Sequence, residues 1–554
     1  MFLAVFIAGG LAGFAGRAFG LSPEDIHLWE EKRDVQHLIG ALDNWSSSAR
    51  EAAAGALGRI GDARALGPLI DRLGDRVTSV RQAAVKALDQ LNEPLGRLID
   101  ESLKGSAAAR EALAGRKDAR AMGPLIRLLE VGKEADRKAA TEILQTLGDP
   151  RAVEPLIKVL ADRQPALRET AAVALGSLGD RRAVGPLLQS LTDDFAAMRG
   201  AAAAALDRLN EPLGRLIYDS LWGSKEAREA LAKKNDPRAA DILIRVLTVP
   251  DEATRVNAIW ALKDIGDRRA VDPLIRVLSN GQTNVREAAV WTLGKIGDRR
   301  AIDPVTQSLR DGQPKVREAA VSTLGDFGDP RSVDPLIGAL GDWDAAVREA
   351  AVWALKDLND PRAAEPVKKA LEDKQPGVRE AAVWALGGLE GPRAIDPVMK
   401  VLGDDDSKVR SAAAQKLEGL GEPLGRLIYE SLQGSQTAAA ELAAGKDPRS
   451  LAPLIRALEN NDPQVRRTAA EVLGRIQDPR AIDGLVTMAG GWNPRDRMAA
   501  TASIMKIDQG RIVLPWSTLL RILFRPASLV YLLCSLMIVG LTVCAMARRK
   551  KHSR

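Results

Sequence analysis

The stretch that decides the fold runs from residue 267 to residue 275 and reads Asp-Arg-Arg-Ala-Val-Asp-Pro-Leu-Ile. Closely similar stretches recur along the chain in two uninterrupted series, and within each series the stretches begin 31 residues apart. Copies begin at Asp149 and Asp180, and then at Asp267, Asp298, Asp329 and Asp360. A fixed period between 20 and 50 residues is typical of a solenoid, in which stacked units share one continuous core. The period therefore predicts long open surfaces rather than an enclosed catalytic pocket.

Three steps in this register measure 56 residues, which is one unit of 31 plus a shorter unit of 25. The short units share the sequence Glu-Pro-Leu-Gly-Arg-Leu-Ile, found at residues 93–99, 211–217 and 422–428. When the register is followed in both directions, thirteen long units and three short ones fit between residues 31 and 509. About sixteen units therefore account for nearly the whole chain.

Each long unit divides into two apolar stretches of helical periodicity. In the unit that begins at Asp267, the first stretch runs over residues 273–278 and the second over residues 285–296. An acidic residue can cap the first helix, and the proline that follows suits its first position. Gly297 suits the left-handed end of the second. The predicted fold class is all-α, an α-α superhelix of about 16 helical hairpins of 31 or 25 residues.

This pattern resembles the HEAT-like repeats of the phycobilisome-lyase type over residues 31–509. That family includes bilin lyases, deoxyhypusine hydroxylases and scaffolds, so the resemblance implies a fold and leaves the function open. The hydroxylases carry His-Glu pairs for iron, and this sequence, with three histidines, has none. It also lacks a phosphate-binding loop and a nucleophile elbow. We therefore expect no cofactor and no catalytic site, with lyase-like or hydroxylase-like activity as the alternative.

An arginine recurs twelve residues before the Asp position of the motif. One interpretation is a basic track for phosphates, and the other is an Asp–Arg ladder that joins neighbouring units, for which HEAT-type families are known. An element present in every long unit favours the structural ladder. Its members include Arg168, Arg286, Arg317, Arg348 and Arg379.

The strongest functional candidate is a row of tryptophans placed seven residues before the Asp position. The row consists of Trp260, Trp291, Trp353 and Trp384, and Ser322 fills the one missing place. Other repeats carry charged residues there, which indicates an exposed position. Glutamates lie one helical turn earlier on three of these helices, at Glu287, Glu349 and Glu380. The row predicts a partner-binding surface over residues 260–384, and the alternative is that the rings pack between repeats as additional core.

The two ends of the chain suggest targeting segments. Residues 527–547 contain no charged residue and are long enough to cross a bilayer. The basic residues that follow predict a cytoplasmic C-terminus, and the apolar N-terminus resembles a signal peptide. The predicted segments are a signal peptide 1–20, a linker 21–30, the solenoid 31–509, a juxtamembrane segment 510–526, a transmembrane helix 527–547 and a basic tail 548–554.

These features together predict a single-pass membrane protein with an extracytoplasmic solenoid that binds an extended partner, either a peptide or a glycan. A cytosolic tail-anchored adaptor is the alternative topology. Nucleic acid is not expected as a partner, because five of the six net positive charges lie in the tail and nucleic-acid binding needs a concentrated basic surface.

Overall fold

The computed structural model describes residues 21–508, which divide into two compact units after Ile296. Within that range every helix is short, and the helices from the second onward form sixteen consecutive pairs. In the first unit the helices are α1 Pro23–Glu31, α2 Val35–Ala41, α3 Ser47–Ile60, α4 Leu66–Arg72, α5 Thr78–Gln90, α6 Leu95–Leu103, α7 Ala107–Arg116, α8 Met122–Val131, α9 Glu134–Leu147, α10 Val153–Val159, α11 Pro165–Leu178, α12 Val184–Ser190, α13 Ala196–Arg208, α14 Pro212–Leu221, α15 Lys225–Lys234, α16 Pro237–Val246, α17 Glu252–Ile265, α18 Val271–Asn280 and α19 Thr283–Ile296.

The second unit continues the same alternation of helices. Its helices are α20 Ile302–Ser308, α21 Pro314–Phe327, α22 Val333–Ala339, α23 Ala345–Leu358, α24 Ala364–Lys369, α25 Pro376–Leu389, α26 Ile395–Val401, α27 Ser407–Gly419, α28 Pro423–Leu432, α29 Gln436–Gly445, α30 Leu451–Ala457, α31 Pro463–Ile476, α32 Ile482–Ala489 and α33 Pro494–Asp508. The predicted pairs of helices are therefore confirmed from α2 onward, and α1 lies in the segment interpreted as a linker.

In most long repeats the Asp-x-Arg motif forms the turn that leads into the first helix. The Asp329 side chain accepts a hydrogen bond from the backbone N–H of Arg331 and caps a 3-10 turn, Pro330–Ser332. The turn runs directly into α22, so the acidic residue before the proline, Asp334, lies within the first helical turn. The capping residue is therefore the Asp of the motif rather than the acidic residue next to the proline.

Second helices of successive repeats pack closely because small residues face each other. A β-carbon placed on Gly176 of α11 would lie 2.7 Å from the Cα of Ala205 in α13. In the second unit, a β-carbon on Gly325 of α21 would lie 2.9 Å from the Cβ of Ala354 in α23. Contacts below 3 Å leave no room for a methyl group, so the stacking distance depends on these glycines. Buried leucine, valine and alanine side chains fill the interior between the helices.

The short units differ mainly in their second helix. In the unit that begins at Glu211, this helix is α15, with 10 residues, whereas α17 in the next long unit has 14. Four residues correspond to about one turn. Gly214 of the preceding α14 packs directly against Leu206, and a β-carbon at this glycine would overlap the leucine side chain. The glycine of the short-unit motif therefore allows this close approach.

The transmembrane part of the predicted fold class is corrected. The longest helix in residues 21–508 is α33, with 15 residues, whereas a bilayer requires about 20 consecutive apolar residues. No helix in this part of the chain is long and apolar enough to cross a membrane. The single-pass membrane localisation with an extracytoplasmic solenoid is therefore not supported. The sequence segments on which that localisation was predicted lie outside the described residues. They are the signal peptide 1–20, the juxtamembrane segment 510–526, the span 527–547 and the tail 548–554.

Candidate functional site

The four tryptophans of the predicted surface are all partly exposed, and they fall in both units. Trp260 and Trp291 lie on α17 and α19 of the first unit, which pack against each other. Trp353 and Trp384 lie on α23 and α25 of the second unit, which are also neighbours. Each ring is half-buried, so it has both a packed side and a face that a partner could contact.

An open groove lies beside Trp353 in the second unit. It has a volume of about 390 Å³ and runs between α21 and α23, a volume within the range of about 300–1,000 Å³ found for ligand pockets. Trp353 and Ser322 lie at equivalent positions on the two helices. Small residues, including Gly325, Ala350 and Ala354, also line the groove.

The groove exists because two properties of the sequence coincide on adjacent helices. Ser322 occupies the position at which the next repeat has Trp353, so one indole is missing from the row. Gly325 and Ala354 bring the two helices together without filling the space with side chains. The missing ring therefore leaves an opening beside its neighbour, and one large side chain at position 322 would fill it.

Carboxylates flank the groove on both helices. Glu318 and Asp326 lie one turn on either side of Ser322, and Glu349 and Asp357 lie one turn on either side of Trp353. Glu318 and Glu349 are half-buried, whereas Asp326 and Asp357 are exposed. Among the described residues that line the groove, none is a lysine or an arginine.

The other predicted site residues occupy equivalent positions on neighbouring second helices. Glu287 and Glu380 are half-buried and stand one turn before Trp291 and Trp384, respectively. The structure places Glu349 and Trp353 together at the groove. Glu318 occupies the same position beside Ser322, and the sequence shows it there. Sequence reasoning missed Asp326 and Asp357, although their spacing of four residues from positions 322 and 353 is visible in the sequence.

Six regions of the chain match the model of a protein family described as HEAT repeats. The matched regions are residues 35–114, 124–207, 224–286, 271–356, 333–418 and 432–505, which together make up more than half of the chain. The chain belongs to the HEAT repeat family. The predicted resemblance to HEAT-like repeats is therefore confirmed. A comparison of the sequence with curated proteins gave no match.

Solved structures that are similar to this HEAT repeat chain include the following three, each with a low TM-score. YibA of Escherichia coli is 21% identical, with 52% of this chain and 98% of that chain covered and a TM-score of 0.29. Human deoxyhypusine hydroxylase in complex with glycerol is 20% identical, with coverages of 50% and 99% and a TM-score of 0.22. The complex of CpcE and CpcF of phycocyanin lyase from Nostoc sp. is 22% identical, with coverages of 48% and 94% and a TM-score of 0.21.

The recurring arginines connect successive HEAT repeats. Arg317 donates through Nε and Nη2 to the two carboxylate oxygens of Asp342, at 2.7 and 2.8 Å, and through Nη1 to the Asp311 carbonyl oxygen at 2.9 Å. The same bidentate pairing occurs between arginine and aspartate 25 residues apart, at Arg168 with Asp193, Arg348 with Asp373 and Arg379 with Asp404. Arg286 donates to the Gly281 carbonyl oxygen at 2.6 Å.

A second set of ion pairs, which sequence reasoning missed, involves the arginine of the Asp-x-Arg motif. The side chain of Arg362 binds Asp360 within the motif and also reaches back to Asp334 and to the carbonyl oxygen of Pro330 in the preceding repeat. Hydrogen bonds from Arg64 lower the pKa of Asp62 to about 2, and those from Arg331 lower the pKa of Asp329 to about 2. The motif thus both caps a turn and links neighbouring repeats.

The most exposed tryptophans lie elsewhere, at the turns between paired helices. Trp343 is 73% exposed and Trp492 is 84% exposed. The guanidinium carbon of Arg317 lies 4.6 Å from the centre of the Trp343 ring, so this indole covers a rung of the arginine ladder. Trp343 lies outside the groove between α21 and α23. It is therefore an exposed tryptophan of the same unit with which Trp353 can be compared.

Proposed function

We propose that this HEAT repeat chain is a non-catalytic scaffold that binds an extended polypeptide segment of a protein partner along its second helices. The groove between Ser322 and Trp353 is the anchoring point. Stacked repeats bury a continuous core and leave long surfaces for binding. The row of half-buried tryptophans follows such a surface within each unit.

The observation that carries this proposal is the opening created where the row lacks one ring. A half-buried indole beside an open groove is typical of a binding hot spot, where an aromatic anchor and a pocket concentrate the affinity. Trp353 supplies the aromatic wall, and the space at Ser322 accepts a side chain from the partner. A protein segment suits this site because it can place one side chain in the groove and continue along the neighbouring helices.

The test begins with random peptides displayed on phage and selected on the purified protein. The Kd of each selected peptide is then measured for the unaltered protein and for two variants, Ser322→Trp and Trp353→Ala. Ser322→Trp restores the ring that neighbouring repeats have and fills the groove, and Trp353→Ala removes the wall. Loss of a hot-spot contact costs about 2 kcal/mol, so we expect each variant to weaken binding about 30-fold.

Trp343→Ala is the matched control, since it removes a more exposed tryptophan of the same unit that lies outside the groove. We expect it to leave the Kd unchanged. Circular dichroism should show the same helicity for all three variants. Selected peptides that bind Ser322→Trp and Trp353→Ala as tightly as the unaltered protein would show that the groove is not the binding site.

A further inference from the structure

The carboxylates around the groove carry negative charge that the described part of the chain does not neutralise. Within residues 21–508, Glu318, Asp326 and Glu349 have neither an ion pair nor a side-chain hydrogen bond. Asp357 has only a distant ion pair, 3.7 Å from the ammonium of Lys356. The groove therefore combines an aromatic wall with an excess of negative charge.

The carboxylates of the groove differ from the recurring aspartates of the ladder and of the motif, which are paired with arginine. The ladder aspartates and the motif aspartates each accept hydrogen bonds from a guanidinium. On α17 in the first unit, the acidic residue one turn after Trp260 is Asp264, and it pairs with Arg228 at 3.1 Å. On α19, the residue one turn after Trp291 is Lys295 and not an acid. Glu287 on α19 and Glu380 on α25 also lack a partner in the described part of the chain, but the residue one turn after the tryptophan on α25 is Gly388. Among the helices that carry the row, acids on both sides of the row position are thus a property of α21 and α23.

The tryptophan faces of this surface already accept positive charge within the chain. The ammonium of Lys356 lies 5.0 Å from the centre of the Trp353 ring, and that of Lys263 lies 4.7 Å from the Trp260 ring. In the second unit, the Lys416 ammonium lies 5.9 Å from the Trp384 ring. These separations of about 6 Å or less are those of cation–π contacts. A partner's lysine or arginine can make the same contact and also reach the carboxylates.

We propose that the groove recognises a cationic segment, in which lysine or arginine side chains of an extended partner bind between α21 and α23. This inference rests on the proposed scaffold function and specifies the chemistry of its partner. The acids at positions 318 and 326 lie eight residues apart, about 12 Å along a helix. An extended chain covers about 13 Å in four residues. Basic residues spaced four apart therefore match successive acids along the groove, while the stem of one side chain packs on Trp353.

The test uses three fluorescent peptides of equal length with lysine, glutamine or glutamate at every fourth position and alanine and glycine elsewhere. The lysine peptide should bind the full-length protein at low salt, and the other two should bind far more weakly. High salt should weaken binding of the lysine peptide, because screening reduces interactions between exposed charges. Equal binding of the lysine and glutamine peptides would overturn the cationic specificity.

Two charge-matched variants locate the effect. The triple variant Glu318→Gln, Asp326→Asn, Glu349→Gln removes the unpaired acids, and we expect it to weaken binding of the lysine peptide about tenfold. The control variant Asp303→Asn, Glu372→Gln, Asp396→Asn removes the same number of negative charges from exposed positions on the first-helix side of this unit. It should leave the Kd nearly unchanged. An equal loss in both variants would show a general charge effect and would overturn the proposed site.

Lys356→Gln separates the failure of this inference from failure of the scaffold function. The substitution frees the Trp353 face and increases the negative charge of the groove, so we expect tighter binding of the lysine peptide. Weaker binding would contradict the cationic proposal.

If Ser322→Trp abolishes binding of all peptides irrespective of charge, the groove is a binding site without cationic specificity. If Ser322→Trp affects no peptide that binds, the proposed scaffold site itself fails.

Discussion

At the scale of single residues, Arg317 shows why an arginine recurs in every long repeat. It is 3% exposed and satisfies a carboxylate of the next repeat and a backbone carbonyl of its own turn with one guanidinium. Burial alone would raise the pKa of Asp342, but hydrogen bonds from Arg317 and from the backbone of Asp344 outweigh it and lower the pKa. A lysine, with a single ammonium, cannot reproduce this planar bidentate geometry. We propose that the ladder stabilises the stacking of repeats.

Replacement of Arg317 by alanine tests this role. The substitution leaves the Asp342 carboxylate and the Asp311 carbonyl without their main donor, and removal of one partner from a buried pair costs about 2–3 kcal/mol. We expect a lower urea midpoint, measured by circular dichroism, with Arg317→Lys intermediate. Arg331→Ala, which removes an exposed motif arginine of the same unit, should have a smaller effect. An equal or larger effect of Arg331→Ala would contradict the assignment.

At the scale of helices, the close contacts between repeats depend on whether a glycine faces the next second helix. Gly176 of α11 is buried against Ala205, whereas Gly185 of α12 is exposed and has no atom within 4 Å of its β-carbon position. The same amino acid thus has two different roles within ten residues. At position 176 it allows packing, and at position 185 it only adds freedom to the unfolded chain.

Alanine substitutions at these two glycines should therefore have opposite effects. Gly176→Ala forces α11 and α13 apart, and overpacking of this kind costs about 1–3 kcal/mol. Gly185→Ala should stabilise by about 0.5–1 kcal/mol, because alanine restricts the unfolded chain and suits a helix. Thermal melting followed by circular dichroism measures both changes. Stabilisation by Gly176→Ala would show that the helices can separate without cost and would contradict the packing argument.

The short units show what the sequence period does not reveal at this scale. Hydrogen bonds pass directly across two of them, since the ladder arginine Arg81 donates through Nη2 to Asp136 at 2.9 Å and Asn460 Nδ2 donates to the Asp404 carbonyl at 2.8 Å. These partners are 55 and 56 residues apart, so the turns of the flanking long units meet beside the short unit. In two short units the arginine of the second helix, Arg110 or Arg228, instead pairs with an acid in the middle or late part of the next second helix, Glu142 or Asp264. A residue-by-residue register cannot show which turns become neighbours.

At the scale of the whole molecule, the sequence predicted the helices well and the site only in part. The spacing of apolar residues within the 31-residue period shows which helix faces are buried, and it therefore predicts pairs of helices. The stretches expected at 273–278 and 285–296 lie within α18 and α19. The groove was not predicted, because it depends on Ser322, Gly325 and Ala354 facing one another across two helices. The sequence marked Ser322 as a gap in the tryptophan row, but only packing shows that the gap is open space.

Acid sensitivity is the whole-molecule consequence of the repeated ion pairs. Motif aspartates recur along both units, and hydrogen bonds from motif arginines lower their pKa values, to about 2 at Asp62 and Asp329. An unfolded aspartate has a pKa of about 3.9, so below that pH the unfolded chain binds more protons than the folded chain. The stabilisation is therefore fully present above about pH 5 and is lost as the pH falls towards 2. We expect the urea midpoint to fall steadily over this interval.

A variant with Asp62→Asn, Asp180→Asn and Asp329→Asn separates this effect from a general effect of acid. Asparagine is as good a capping residue as aspartate, so the turns should persist while three titrating groups are removed. Because repeat proteins can unfold in stages, the midpoint should be followed both by circular dichroism and by hydrogen exchange. We expect a smaller decrease between pH 5 and pH 2 in the variant than in the unaltered chain. The same pH dependence in both proteins would show that the motif aspartates do not determine stability in acid.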